Sequence, residues 1–547
     1  MQLFARAGLA AAIACVAPGA FAKPLIDLSH RWTHATGIFD DSAAEIVAHD
    51  PDTQQVYVVN GAQSRIDVLD ANTGSFVTSI TSFSSFGGPN SVAVKNGVIA
   101  VAVESSVGQA DGRVYFYDTA TGSQQGFADV GPLPDMVTFT PDGSRVIVAN
   151  EGEPNDAYDN DPEGSISVVD ISGGVGSPSV TPIGFADFNA GGSRAGELPA
   201  DVRIFGPNAS VAEDLEPEYI TVSPDGSKAY VTLQENNAVA EVDLNTNTIT
   251  AIRALGFKDH TDSANRLDAS NRDNAINIQN WPVLGMYQPD AIASYEVGGM
   301  TYTVTANEGD ARDYDGFSEE ARVEDLTLDS AVFTDPTLQN EENLGRLNIT
   351  TTLGDTDADA EYEALYAYGG RSFSIWDETG ALVFDSGSQF EELIAGLGLF
   401  DTNGEPVFNA NNDDQTSFDS RSDDKGPEPE ALALGEIGDM TFAFIGLERI
   451  GGIMIYDITD PNNPEFINYI LGRDFSVADE TSALAGDLGP EGIYFVTPGD
   501  SAFGTYGLIV ANEVSGTTTY YDIQVPLPAP LVLFGAGLPL LLLARRR

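Results

Sequence analysis

The stretch DMVTFTPDGSRVIVANE (135–151) decides the fold. It opens on an acid, alternates apolar and polar residues, turns at Pro141-Asp142-Gly143, and continues through an apolar run to Asn150-Glu151. A Pro-Asp-Gly turn between β-branched runs marks a β-hairpin. The unit recurs as EIVAHDPDTQQVYVVN (45–60), NSVAVKNGVIAVAVE (90–104), EYITVSPDGSKAYVTLQE (218–235), DAIASYEVGGMTYTVTANE (290–308), EALALGEIGDMTFAFIGLE (430–448) and EGIYFVTPGDSAFGTYGLIVANE (491–513). After most copies a third strand ends in aspartate, as in RIDVLD (65–70), SISVVD (165–170) and GIMIYD (452–457).

Repetition of this kind predicts an all-β, seven-bladed β-propeller of the YVTN or WD40 sort, which hides sheet edges by radial repetition. The last copy leaves room for only one more strand, so Leu25 to Trp32 is expected to complete the seventh blade. A β-sandwich array explains neither the count nor that leftover strand. Long polar segments at 171–215, 256–288, 309–360 and 385–427 interrupt the copies and read as surface insertions on blade connections.

Composition narrows the function. Among 547 residues, 83 acidic against 25 basic side chains give a formal charge of −58, with one cysteine and four histidines. Such a chain repels nucleic acid and anionic membranes and attracts cations. Its few histidines and single cysteine exclude a zinc site or a disulfide framework.

Both ends read as addresses. Residues 1–22 form a secretory signal, with Arg6, an apolar stretch from Leu9 to Val16, and an Ala20-Phe21-Ala22 cleavage pattern. Cys15 lies inside it; a lipoprotein signal at Ala12-Ile13-Ala14-Cys15 leaves a very short apolar segment. Residues 525–547 carry Val525-Pro526-Leu527-Pro528-Ala529, an apolar run from Leu531 to Ala544, and three arginines. That run is short for a bilayer helix of about 20 residues, and the alternative is an ordinary C-terminal anchor. The segment resembles the VPLPA variant of bacterial sorting signals cut by exosortase-type enzymes. The resemblance implies a Gram-negative envelope protein, anchored transiently through this segment, with the exosortase and the secretion machinery as partners. The propeller then spans 23–524.

Each copy opens on a polar residue: Glu45, Asn90, Asp135, Glu218, Asp290, Glu430 and Glu491. Most close on glutamate: Glu104, Glu151, Glu235, Glu308, Glu448 and Glu513, with Asn60 ending the first. The start of one strand and the end of its antiparallel partner lie at the same end of a hairpin. If the first strand lines the channel, these oxygens and Asp310 gather at one mouth. So many carboxylates cannot all stay ionised uncompensated. Either several are protonated or hard cations sit among them, Ca²⁺ before Mg²⁺ or Mn²⁺. The metal candidates are therefore Glu45, Asp135, Glu151, Glu218, Glu235, Asp290, Glu308, Asp310, Glu430, Glu448, Glu491 and Glu513. The bland alternative is that these acids cap strands.

Asp159-Asn-Asp161-Pro-Glu163-Gly164 with Asp170 superficially matches a calcium-loop spacing, but Asp170 belongs to the strand-ending series. Asp355, Asp357, Asp359 and Glu361, and Asp413, Asp414, Asp423 and Asp424, resemble calcium-stabilised loops or a solvated acidic face. Arg312, Arg371 and Arg449 fall near strand ends and read either as charge partners or as an anion clamp.

The segments LQENNAVAEVDL (233–244), LGFKDH (255–260), TANEGDARDYDGFSEEAR (305–322), GPEPEALALG (426–435), GLERIGGIMIYDITDP (446–461), GPEGIYF (489–495) and NEVSGTT (512–518) closely resemble the choice-of-anchor I domain family. The likeness covers roughly residues 25–523. These bacterial surface propellers are similar to mesenchyme-specific cell-surface glycoproteins of biomineralising animal larvae. The resemblance implies an exported propeller; some relatives look like calcium-dependent alkaline phosphatases, and the animal branch is linked to calcified matrix. It supplies no settled catalytic residues. Three readings follow. One is a calcium-binding surface propeller engaging envelope, polysaccharide or extracellular matrix. Another is a metal-dependent phosphoesterase using the same mouth. The third is a purely structural adhesin scaffold whose acids cap strands.

Overall fold

The computed structural model describes residues 26–525. The secretory and sorting readings over 1–22 and 525–547 thus lie, but for Val525, outside the described residues. The rest is an all-β fold of the β-propeller class. Among the described residues, seven sheets have four antiparallel strands each, alongside a five-stranded sheet and a short hairpin. The opening strands of the seven are, in chain order, Val47–Asp50, Pro89–Lys95, Pro134–Phe139, Pro217–Val222, Ile292–Val297, Pro429–Ile437 and Pro490–Val496. Each belongs to one of the seven repeats.

The third sheet illustrates the plan. Pro134–Phe139 pairs with Arg145–Asn150, which pairs with Ser165–Asp170, which pairs with Ser179–Gly184. Val146 to Ala149 are fully buried, whereas the fourth strand is largely exposed. A continuous β-branched run is what a strand covered on both faces requires. On one face Val146 and Val148 pack with Ala100, Ala102 and Phe116 of the second sheet. On the other, Ile147 and Ala149 pack with Ala229 and Val231 of the fourth.

Similar apolar layers join the first sheet to the second, the fourth to the fifth, the fifth to the sixth and the sixth to the seventh. One more joins the seventh to the first, placing Val496, Ile509 and Ala511 against Val47, Val56 and Val58. The expected N-terminal strand is present as Asp27–Ala35. It pairs antiparallel with Thr517–Gln524, matching Leu28 to Ile523 and Trp32 to Tyr520, and supplies the seventh sheet's fourth strand.

The insertions are more than surface loops, which corrects the sequence reading. Segments 256–288 and 309–360 combine, with Tyr366–Ala367, into the five-stranded sheet: Phe257–Asp259, Leu284–Met286, Tyr366–Ala367, Asn348–Thr350 and Glu320–Arg322. That sheet has its own core around Trp281, Val323, Leu347 and Ile349. The 171–215 segment contains the third sheet's outer strand and a one-turn helix, Val211–Asp214, with a Ser210/Glu213 capping box. Segment 385–427 carries the helix Gln389–Ala395.

Candidate functional site

The opening strands aim their acids by a shared local device. Five begin at proline followed by an acid or amide: Pro89-Asn90, Pro134-Asp135, Pro217-Glu218, Pro429-Glu430 and Pro490-Glu491. In all five the register slips directly after the proline. Proline has no N–H to give the ladder, and the bulge leaves one residue unpaired and redirected. The residue so freed is in the opening acid series.

These side chains converge. Asp135, Glu218, Asp290, Glu308, Asp310, Glu430, Glu448, Glu491 and Glu513 line one cavity of about 540 Å³, together with Asp40, Gln234, Asn412, Lys425 and Arg449. Glu45 lines an adjoining cavity of about 300 Å³, with Asn90 and Glu104, which shares Asp135, Asp290 and Glu491. Glu151 and Glu235 stand beside these walls, within electrostatic reach of Asp135 and of Asp310 respectively. Acids far apart in the chain thus meet in one place. Asp310 is the outlier, 53% exposed.

Two environments exist within the cluster. Burial pushes the opening acids up: Glu45 to about 8, Asp135 to about 7, and Glu218, Asp290, Glu430 and Glu491 well above the usual carboxylate range. Neighbouring carboxylates add to the effect. Glu218 feels Asp290, Glu235, Glu151 and Asp135, and Glu430 feels Glu491, Glu448, Glu308 and Asp290, with no cation prominent for either. One carboxylate oxygen of each, Oε2, is buried without a hydrogen-bond partner.

Two closing acids, Glu308 and Glu448, have cations beside them, although burial still raises both. Lys425 Nζ lies 2.8 Å from Glu308 Oε1, and Gln234 Nε2 donates to Glu308 Oε2 at 3.1 Å. Glu448 Oε1 accepts from Asn412 Nδ2 at 2.7 Å and lies 3.0 Å from Arg449 Nη1. Behind them sits Glu428, fully buried. Burial would raise its carboxyl, but Lys425, Arg421 and Arg449 outweigh that and hold it at about 2. Arg421 Nη2, Arg449 Nε and Lys425 Nζ stand 2.7, 2.9 and 3.2 Å from its oxygens. Oxygens of Glu308, Glu428 and Glu448 lie within 4.8 Å of one another. This trio already has its cations; among the opening acids only Asp290 feels one, Lys425.

The anion-clamp reading fails for two of its three arginines. Arg312 is buried, with its guanidinium paired to Asp214 and, at 2.7 Å, to Glu216. Arg371 is buried too, paired to Glu391 at 2.7 Å and donating to the carbonyl oxygens of Asp268, Ser422 and Asp424. In so acidic a chain a buried guanidinium is saturated by nearby oxygens before any ligand arrives. Arg449 does line the cavity, but Glu428 and Glu448 hold it.

Sequence reasoning missed Lys425, Glu428, Arg421, Asp214 and Glu216, all supplied by the insertions or their junctions with the sheets. The available signal was lysine scarcity: of the five lysines, Lys23, Lys95, Lys228, Lys258 and Lys425, both Lys258 and Lys425 are buried. The doubled Pro427-Glu428-Pro429-Glu430 was a second hint.

The other acids serve local structure, except Asp413, which lines the larger cavity. Asp170 ends its strand and accepts from Ser172 N and Oγ, so no EF-hand forms. Asp70, Asp118, Asp243 and Asp377 accept from backbone N–H groups in the turns that follow them in the same way. Asp355 caps its own loop through the N–H groups of Ala358, Asp359 and Ala360, and its oxygens approach those of Asp357 and Glu363. Asp423 pairs with Arg322 and Arg346, and Asp424 with Arg421, which breaks up the expected four-acid loop of Asp413, Asp414, Asp423 and Asp424.

Fold and site together define a β-propeller with an acidic cavity where the opening strands begin. The family can be named: the sequence model of the Choice-of-anchor I domain matches residues 45–461, and the chain belongs to that family. The match stops short of the seventh sheet. Gigasin-3a of Magallana gigas is 31% identical over 208 residues, which cover 36% of this chain and 72% of that protein. The mesenchyme-specific cell surface glycoprotein of Strongylocentrotus purpuratus is 31% identical over 302 residues, 49% of this chain and 38% of that protein. Among solved structures, Kuenenia stuttgartiensis hydrazine synthase aligns at a TM-score of 0.46 and 13% identity, over 89% of this chain and 97% of that one. The Myceliophteria thermophila Cps50 (Swd1) β-propeller domain aligns at 0.41 and 8%, over 90% and 100%.

Proposed function

We propose that this protein is an exported, surface-displayed, seven-bladed β-propeller that binds calcium at its acidic cavity and engages envelope or extracellular matrix. The seven shared apolar layers, the last between the seventh and first sheets, support a closed ring. Gly492 supports the same seam, since a Cβ there would meet Glu45 O at 2.4 Å. The chain's secretory and sorting patterns support export from a Gram-negative cell, and the family's anchoring and a relative named as a cell surface glycoprotein support display.

One observation carries the calcium reading: Glu218 and Glu430 present buried carboxylate oxygens with no partner, in a cavity where Asp290 alone of the opening acids feels a cation, Lys425. Such groups are costly until neutralised. An all-oxygen, multi-carboxylate set suits Ca²⁺, which takes six to eight oxygens at about 2.3–2.6 Å. Asp135, Glu218, Asp290, Glu430 and Glu491 would hold it. Magnesium and manganese compete less well for so broad a cavity. A phosphoester site asks for cations free to take an anion, and Lys425 and Arg449 are both engaged by Glu428; the geometry favours binding over hydrolysis.

The test is a calcium titration of chelator-stripped protein, followed by calorimetry and thermal melting. Saturable binding and a melting temperature that climbs with calcium are expected, both weakened in Glu218→Gln/Glu430→Gln. A melting temperature indifferent to calcium from micromolar to millimolar ends the proposal.

A further inference from the structure

A second group of buried oxygens lies away from the cavity, where the 256–288 and 385–427 insertions meet. Asp268 and Asn409 are fully buried, and Asp419 and Glu391 are each 2% exposed. Asn409 Nδ2 donates to Glu391 Oε1 and to Ser422 Oγ, both at 2.9 Å, and Ser422 Oγ in turn donates to Asp419 Oδ1. Asp268 N donates to Glu391 Oε2 at 3.0 Å, which ties the two insertions together.

The group is short of positive charge and, at Asp419 and Asn409, of hydrogen-bond donors; Asp268 Oδ1 accepts from Ser270 N at 3.3 Å and its Oδ2 from Asn277 N. Arg371 pairs with Glu391, leaving Asp268 and Asp419 without a counter-ion. Two uncompensated carboxylates match one divalent cation. Donors are missing where they are needed: Asp419 Oδ2 and Asn409 Oδ1 are both buried with no partner. Asn271 Oδ1, three residues beyond Asp268, is in the same condition. With Nδ2 of Asn409 given to Glu391 and Ser422, its Oδ1 remains without a partner, and Ser422 Oγ links Asn409 to Asp419. Burial and the Asp268 carboxylate push Asp419 up to about 9, and burial lifts Asp268 to about 7 against the pull of the Asn277 N–H. A group of this composition is stable either with protons held on its acids or with a metal.

We propose that Asp268, Asp419 and the Asn409 side-chain oxygen form a second, buried calcium site that clasps the two insertions to each other. Carboxylate and amide oxygens without sulfur or imidazole select a hard cation of this kind. The site is independent of the cavity: it uses none of the cavity's acids, and it stands or falls whether or not the cavity binds metal.

Calcium titration of the full chain, stripped with chelator, provides the test. Asp419→Asn keeps the side chain's shape and removes its charge, so it is expected to abolish one equivalent of bound calcium. That equivalent should survive Glu218→Gln/Glu430→Gln. Equal calcium stoichiometry with and without Asp419→Asn overturns the proposal. Hydrogen exchange on the unaltered protein needs no variant to fold. Amides of residues 266–277, outside the cavity lining, should exchange at least about tenfold more slowly with calcium, because ligation opposes local opening. Unchanged exchange there overturns the proposal as well.

Discussion

The two ends of the same sheets carry acids in opposite states. At the turn end, Asp142 accepts from Ser144 N and Oγ and from Thr140 Oγ1, which holds it at about 2, and Asp225 is lowered by the matching set from Ser223 and Ser227. At the cavity end, Asp135 and Glu218, seven residues before Asp142 and Asp225, meet burial and other carboxylates and are raised. Each pair brackets the opening strand of one repeat, the acid at its start and the aspartate in the turn that follows it. What differs is donor supply: a turn offers backbone N–H groups to its aspartate, whereas a bulge facing a shared cavity offers other repeats' acids. One set is complete in the folded chain, whereas the other keeps carboxylate oxygens without a hydrogen-bond partner at Glu218 and Glu430.

The largest expected effect comes where the cavity end imitates the turn end by compensating its acid. Glu428→Ala strips Lys425, Arg421 and Arg449 of their common partner. Losing one member of a buried charge cluster costs about 3–5 kcal/mol, and urea denaturation should show it. Calcium ranks alongside: at a thousandfold excess over its Kd, added ion should stabilise the fold by about 4 kcal/mol, read from thermal melts.

A subtler difference should appear with pH. Glu45, Asp135 and Glu235, raised to about 8, 7 and 7, bind protons in the folded state that the unfolded chain has already released. Metal-free protein should therefore lose stability as pH rises from about 5 to about 8, with an upper limit of about 1.4 kcal/mol per group per pH unit. Calcium should flatten this slope, and a metal-free slope of the opposite sign would break the comparison. Smallest is the effect of Asp142→Asn or Asp225→Asn at exposed turns: a slight drop in melting temperature, identical with and without calcium.

Much of this was legible in the residues. The Pro-Asp-Gly turns, the apolar runs and the Asp-ended third strands are local signals, so the repeats and the N-terminal completing strand could be read directly. So could the convergence of Glu218, Glu308, Glu430 and Glu513, because it follows from strand direction within each hairpin. The choice for Arg312 between charge partner and anion clamp was not legible, because its partners Asp214 and Glu216 lie about a hundred residues earlier, in a segment with no periodicity. The five-stranded sheet escaped for a similar reason. Its strands are two or three residues long, below what an alternation pattern can reveal.

The sequence by itself determined the repeating hairpin, the end of each strand at which an acid stands, and the excess of negative charge, since these depend on neighbours along the chain. Only the tertiary structure decided which acids receive a cation. Lys425, Arg449, Arg421 and Arg371 come from segments between or beside the repeats, and long-range packing alone brings them within about 3 Å of particular carboxylates. Coulomb energy in a buried site depends on those distances, so neutralisation at Glu428 and its lack at Glu218, Glu430 and Asp419 are properties of the fold.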